Sequence, residues 1–517
     1  MLGYRGRIQR YFDADASVTN ISSTVMLNWI INPTDIMDKR IIAVIAVAII
    51  VIAGCGAFAL SNGVDDRDSK PIDELAKSGN YLKIFGNADG DYRLDSNDIK
   101  IIQDYVDGKT DKSSLIEVTE KDNGHSYYLA DANLDGEVDA SDIAYLKGIT
   151  DRTGESMNLI DTFGHLCTVP LKIDRIACDY FATAELLNLV GVQSKIVACT
   201  NALFVLKDYY LQNADTSKMV NFYSRVSPDY EKVAEANPDV WVVSEDYGPN
   251  YKDNTKAVVV GLDTLIFDFD NIYAASPIMS ALLAGYMFDN VDKAVEYVNW
   301  YLDTWNMLYS KTSKLSSEDR PVVFYTGYGN CIKMDTDGTT IKTTTNTMRI
   351  FPDNTVPWQA VKLAGGTNLL DKYPGEITKK PRPTSGVYAD MEWFVEQNYD
   401  YAFFHCTKYT GSGTVSAVVP DHGYLCDDPS EYRKAQSTLA DISYFADSCK
   451  AGNMYLTPGD FMNGASGGLM NAIMVAVVIH PDLFPDLDLD KEFQKYIDLM
   501  GFDYDLSKHG TFFVKNA

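Results

Sequence analysis

Two twelve-residue stretches constrain this chain more than any other feature. In residues 131–142, DANLDGEVDASD, side-chain oxygens fall at positions 1, 3, 5, 9 and 12 (Asp131, Asn133, Asp135, Asp139, Asp142), with Gly136 at position 6. That spacing wraps a hard cation in six or more oxygens, the backbone carbonyl of position 7, Glu137, completing the shell. An earlier copy, residues 87–98, offers Asn87, Asp89, Asp91, Asp95 and Asp98 at the same positions and Arg93 at position 7. Its position 6 is Tyr92, and a non-glycine residue forced to positive φ there would be strained. The second loop is therefore expected to bind Ca²⁺ more strongly than the first. Each copy runs into a short amphipathic helix, expected over Ile99–Val106 and Ile143–Ile149. One such Asp/Asn/Gly run is most simply a solvated turn. Its repetition, followed each time by Asp-Ile and a helix, points to two metal sites.

A further run, Asp335-Thr336-Asp337-Gly338, lacks the later ligands, and a hairpin turn between Cys331 and Thr345 is expected instead. The duplicated loop and helix with Asp at position 12 resembles a type I dockerin over residues 81–152. The resemblance implies a small all-α, EF-hand-like domain and a cohesin-like partner. The insert from Asp107 to Tyr128 is longer than that family's, and an intramolecular spacer is the alternative role.

Ile41–Leu60 holds no charge over twenty residues, and a helix of that length reaches roughly 30 Å, the thickness of a bilayer core. Asp38-Lys39-Arg40 precedes it, which keeps that end in the cytoplasm and puts the remainder outside. Residues 37–60 are expected to be a signal sequence or an anchor, with Met37 as the start and 1–36 outside the reading frame proper. Ile52-Ala53-Gly54-Cys55 resembles a lipoprotein cleavage box, so lipid on Cys55 is the alternative to an uncleaved helix. Residues 61–80 are polar and read as a tether.

With 72 acidic against 45 basic residues the net charge is −27. That balance argues against nucleic acid as a partner, because phosphate binding needs concentrated Lys and Arg, and it suits divalent cations. The cysteines are Cys55, Cys167, Cys178, Cys199, Cys331, Cys406, Cys426 and Cys449. None forms a C-x-x-C pair, so zinc and thioredoxin spacings are absent. A disulfide such as Cys406–Cys426 is an alternative, but free buried cysteine is expected for most.

From about Leu171 strands and helices alternate: Ile173–Ala177, helix Thr183–Val190 closed by Gly191, Lys195–Cys199, helix Val233–Ala236, Val240–Val243. After the helical stretch Asp289–Leu315 the alternation resumes with Val322–Tyr325, a helix around Trp358–Leu363, Tyr401–Phe404 and a closing helix Leu469–Ile479. Such alternation implies parallel sheets covered by helices on both faces. The segments RIACDYFATAELLNLVGVQSKIVACT, EANPDVWVVSEDYG, WQAVKLAGGTNLLD and AGNMYLTPGD with VVIHPDLFPDL resemble the iron-siderophore and cobalamin class of ABC-transporter substrate-binding proteins. The resemblance spans about 161–510. It implies an α/β, two-lobed, periplasmic-binding-protein-like fold, with lobes at 161–286 and 317–517 joined by one long helix at 287–316. It also implies an ABC importer permease as partner and a ferric siderophore, haem or corrinoid as cargo.

In such sheets ligands bind beyond the carboxyl ends of the strands. Strand position then nominates Tyr180, Phe181, Thr200, Asn201, Asp246, Tyr247, Tyr325, Tyr328, Trp358 and His405, with His405 the best contact for haem, cobalt or iron. No His pair occurs at helical spacing, which argues against a bare zinc or manganese binder. Gly464-Ala465-Ser466-Gly467-Gly468 matches the nucleophile elbow G-x-S-x-G, but Pro458 and Gly459 separate Ser466 from the nearest strand, so no enzyme is expected. The competing functions are a dockerin-bearing glycoside hydrolase and a surface interaction protein without cargo.

Overall fold

The computed structural model describes residues 82–244, 264–267, 269, 276–334, 340–342, 346–352, 355–374, 387–409, 415–450 and 452–514. The segment 37–60, Cys55, the tether 61–80 and the cleft candidates Asp246 and Tyr247 lie outside the described residues. No helix among the described residues is long and apolar enough to cross a membrane. All the described residues fall within one compact unit, 65–517.

The two acidic loops lead into α1 (Ser96–Val106) and α2 (Ala140–Thr150). Both helices begin earlier than the apolar periodicity predicts, because loop residues serve as caps. Asp95 and Asp98 form one capping box, Asp139 and Asp142 the other, each satisfying backbone N–H groups that a helix start leaves orphaned. The all-α expectation fails. The insert between the loops folds into an antiparallel pair, β1 (Glu117–Thr119) with β2 (Ser126–Tyr128). A second hairpin, β3 (Ser156–Ile160) with β4 (Leu166–Pro170), joins the module beyond residue 152. The physical reason is size: two three-turn helices cannot enclose a core. Phe85, Val118, Leu129 and Ile160 supply it, one or more from each part.

The first lobe is a five-stranded parallel sheet in the order β7-β6-β5-β8-β9. Its strands are β5 (Ile176–Cys178), β6 (Ile196–Cys199), β7 (Val220–Asn221), β8 (Val240–Val243) and β9 (Thr264–Ile266). β8 reads VWVV and is buried throughout, the mark of a strand covered on both faces. The helices are α3 (Phe181–Leu189), α4 (Tyr230–Ala236) and α5 (Ser276–Met287). Gly191 closes α3 at φ +77°, and Asn237, left-handed at φ 44°, closes α4 before Pro238.

The linking helix α6 (Val291–Thr312) has 22 residues, about 33 Å at 1.5 Å each. Its predicted stripe Ala294, Val298, Leu302, Trp305 and Leu308 is buried, and so are Tyr297, Trp300, Tyr301 and Thr304. More than one face is covered because the helix lies in the body of the unit.

The second lobe centres on a four-stranded parallel sheet, β14-β10-β16-β17, from β10 (Val322–Gly327), β14 (Thr367–Asn368), β16 (Tyr401–Cys406) and β17 (Met454–Pro458). Two antiparallel pairs flank it. β11 (Ile332–Met334) pairs with β12 (Thr340–Lys342), the turn expected at Asp335–Gly338 lying outside the described residues, and β13 (Thr347–Ile350) pairs with β15 (Val387–Asp390). α7 (Val356–Leu363), α8 (Pro429–Ala440), α9 (Leu469–Ile479) and α10 (Leu489–Leu499) cover this lobe. α9, LMNAIMVAVVI, is apolar on every side and buried, as such a helix must be in a soluble fold.

Candidate functional site

The strands of the first lobe end at a network built on Asp179, which is fully buried. Its carboxylate accepts from the Ser244 N–H (2.9 Å), the Ser244 hydroxyl (3.3 Å) and the Thr183 hydroxyl (3.1 Å). This ties the end of β8 to the start of α3 and fixes Tyr180, the N-cap residue of α3. The Arg225 guanidinium lies 3.6 Å from the Tyr180 ring centroid and donates to Ser244 Oγ at 3.2 Å, a cation–π pair with a second anchor. The Tyr180 hydroxyl donates to the carbonyl of Tyr409 at 3.4 Å. Tyr409 belongs to the second lobe, so Tyr180 stands where the lobes meet. Tyr223 is 56% exposed beside this wall at φ 68°, a strained backbone for an aromatic residue.

From the second lobe, β16 brings up His405, which lies in register with Gly327 of β10 and Thr457 of β17. Its Nε2 bonds to the Thr407 hydroxyl, while its Nδ1 is buried without a hydrogen-bond partner. Burial first, then the neighbouring His422 and Arg349, pushes the His405 pKa down to about 3. The imidazole is therefore neutral and holds an unused ring nitrogen, suited to a metal or a donor on a ligand.

The other sequence-nominated residues sit elsewhere. Asn201 accepts from Asn221 at 3.1 Å, close to the first wall. Thr200 is buried and donates to the Asp179 carbonyl at 2.6 Å. Phe181 stacks on Tyr210, 4.5 Å between centroids. Tyr325 is wholly buried, its hydroxyl held by Thr457 (2.8 Å) and Asn471 (3.3 Å). Tyr328 belongs to the second lobe's core, and the Trp358 indole N–H donates to Asp371 at 2.9 Å. Thr200, Phe181, Tyr325, Tyr328 and Trp358 are buried beneath these surfaces. Arg225, Arg349, Tyr223 and Tyr409 escaped the sequence reading. β7, which precedes Tyr223 and Arg225, has only two residues, too short to register as a strand.

Behind the walls the lobes are bolted together. Glu185 of α3 accepts from the Ala465 N–H and the Tyr496 hydroxyl, both at 2.5 Å. The Tyr210 hydroxyl donates to Asp460 at 2.9 Å, and the Ala182 N–H to the Asn463 carbonyl at 3.1 Å. Burial raises the Glu185 pKa to about 8. A polar cavity of about 490 Å³ lined by Lys207, Asp208, Gln212 and Asp503 includes neither Tyr180 nor His405. Ser466 is buried and donates to the Phe461 carbonyl at 2.7 Å, the geometry of a structural hydroxyl. His480 contacts the Gly365 carbonyl at 3.2 Å, likewise structural. The seven described cysteines, including Cys406 and Cys426, are free and buried.

The acidic loops repeat one geometry. The position-12 carboxylate accepts from the N–H of position 3 at 3.2 Å and of position 9 at 2.8 Å, in Asp98 and in Asp142 alike. The side chain of position 1 is buried in both, and Asn87 Oδ1 and Asp131 Oδ1 have no hydrogen-bond partner. Burial and the adjacent carboxylates raise the pKa of Asp98 to about 7 and of Asp91 to about 6, and raise Asp131 and Asp142 as well. A buried orphan oxygen beside mutually repelling carboxylates fits a hard dication. Among the described residues no three His, Cys, Asp or Glu side chains are arranged to hold a metal by themselves. A cation in either loop would have to draw on the Asn side chain and on the carbonyl of Arg93 or Glu137 as well. Tyr92 does not adopt positive φ; Gly90 (φ 71°) makes the turn of the first loop. In the second loop Leu134 (φ 61°) and Gly136 (φ 94°) are left-handed. The strain argued for Tyr92 is thus absent, and the strained non-glycine residue lies in the other loop.

The family model described as "Periplasmic binding protein" matches residues 176–422. Over that stretch the chain is similar to periplasmic binding proteins. Periplasmic binding proteins of this family carry solutes and are not enzymes. Among solved structures the chain is similar to the TroA-like periplasmic binding protein FepB from Veillonella parvula, at 15% identity over 70% of this chain and 99% of that one, TM-score 0.54. It is also similar to the molybdate periplasmic binding protein MolA from Haemophilus influenzae, at 14% identity over 67% and 99%, TM-score 0.48. A third is CeuE from Helicobacter pylori, at 16% identity over 68% and 97%, TM-score 0.47. The first of these shows the periplasmic-binding-protein fold. No curated protein matches the sequence.

Proposed function

We propose that the protein is an extracytoplasmic substrate-binding protein that delivers a metal chelate (a ferric siderophore, haem or a corrinoid) to an ABC importer permease. The observation that carries this reading is the lobe junction. There Tyr180, with its stacked Arg225, bonds the second lobe at Tyr409, and β16 of that lobe carries a neutral His405 with an unpartnered Nδ1. A fixed cation and an imidazole are groups that grip a chelate's anionic oxygens and its metal, while Tyr180, buried between Arg225 and Phe181, holds the cation in place. The apolar run 41–60, or lipid on Cys55, holds the protein at the membrane in this reading. Two Ca²⁺ ions occupy the loops 87–98 and 131–142, with Asn87 Oδ1 and Asp131 Oδ1 as the oxygens that most need a cation.

The test is fluorescence titration of the full chain in detergent with a ferric catecholate, haemin and cyanocobalamin, beside mass spectrometry of ligand carried through native purification. One of the three is expected to quench saturably. Failure of all three, with no co-purified chelate, sinks the cargo reading.

A further inference from the structure

The module is not hung on a free tether at its binding-lobe end. The backbone N–H of Leu94 in the first loop donates to the Tyr286 hydroxyl at 2.9 Å, and Tyr286 lies in the last turn of α5 in the first lobe. Arg152, just past α2, donates to the carbonyls of Tyr286 (2.9 Å) and Met287 (3.2 Å) and to that of Leu171. The helix end would otherwise leave those α5 carbonyls orphaned. The other end of α5 reaches the second lobe: a Cβ on Gly467 would come within 2.6 Å of Pro277. α5 has 12 residues, about 18 Å of rod, with the acidic module at one end and the lobe junction at the other.

One peptide unit joins loop and helix. Between Arg93 and Leu94, the C=O is the position-7 ligand and the N–H is the donor to Tyr286. The unit is planar and stiff, so a cation drawing in the Arg93 carbonyl also orients the Leu94 N–H, and polarises it as a donor. Among the described residues the corresponding Val138 N–H of the second loop makes no bond to the lobe.

We propose that the module's docking partner is the binding lobe of its own chain, and that the cation in the first loop, through the Arg93–Leu94 peptide and Tyr286, sets that joint. This rests on the calcium reading above. The test is hydrogen–deuterium exchange and calorimetry on the full chain with Ca²⁺ and with chelator. In the wild type, Ca²⁺ is expected to slow exchange at Leu94 and along 280–287. Asp91→Ala should abolish the slowing in α5, whereas Asp135→Ala should remove the second-loop binding event and leave that slowing intact. Tyr286→Phe should still bind two Ca²⁺, with first-loop affinity lowered roughly two- to tenfold, the range of one net hydrogen bond. Two bound Ca²⁺ with α5 exchange indifferent to them, or with Asp91→Ala and Asp135→Ala acting alike on α5, overturns the joint and leaves the calcium reading standing. No Ca²⁺ uptake overturns both.

Discussion

His405 stays neutral far into the acid range because burial, more than the charges of His422 and Arg349, disfavours its cation. Its pKa falls from an unfolded value of about 6.5 to about 3 in the fold. Its contribution to stability is therefore present above pH 6.5 and is lost as pH falls toward 3. Urea unfolding followed against pH should show this acid loss, and His405→Gln should flatten it while weakening haemin binding. Arg225 makes a different demand. Its planar group both stacks on Tyr180 and bonds Ser244, so Arg225→Lys should recover little of what Arg225→Ala loses. About tenfold in affinity for a ferric catecholate is expected for either, read by fluorescence titration. Equal affinity of Arg225→Lys and wild type would remove Arg225 from the site. Strand ends were legible in the sequence only to within one or two residues: β5 and β16 run on to Cys178 and Cys406, so Tyr180 lies just beyond a strand while His405 lies inside one. The direction of each side chain at a strand end was not legible. Tyr325 turns into the core two residues before β10 ends at Gly327, and Phe181 turns toward Tyr210.

Among elements, the acidic loops show how far a spacing pattern carries. Both helices follow from it, although each starts earlier because loop residues cap it, and the turn residues do not follow. The first loop turns at Gly90 rather than at Tyr92. Tyr92→Gly is thus expected to bring no gain in first-loop Ca²⁺ affinity, while Gly90→Ala should cost about 1–2 kcal/mol, a loss of roughly five- to thirtyfold in calorimetry. A tightened site in Tyr92→Gly would restore the strain argument. The two hairpins of the module were illegible for another reason. Strands of three to five residues such as EVT and SYY lack enough alternation to stand out from a polar insert, and only their contact with Phe85 and Ile160 gives them an interior. Longer elements with uninterrupted patterns, such as β8 and α9, matched their sequence limits.

At the scale of the whole molecule, the lobes share buried polar bonds that resist opening. Glu185 has a folded pKa of about 8 against about 4.5 unfolded, so the stability it lends is full below pH 4.5 and disappears as pH rises through 8. Glu185→Gln, an amide of the same shape, should remove that alkaline loss in thermal melts taken from pH 5 to 9. A mutant whose melting still tracks the wild-type slope would show that Glu185 does not carry it. Two parallel sheets joined by one helix could be anticipated from the alternation and the long stretch 289–315. The bolts between lobes could not, since each joins residues hundreds apart, as Glu185 joins Ala465. The scattered thiols offer an experimental handle on such opening. Cys167 lies in the acidic module, Cys178 and Cys199 in the first lobe, and Cys331, Cys406, Cys426 and Cys449 in the second, all shielded. A maleimide pulse during unfolding, followed by peptide mapping, would time the breathing of each part separately, with no label engineered into the chain.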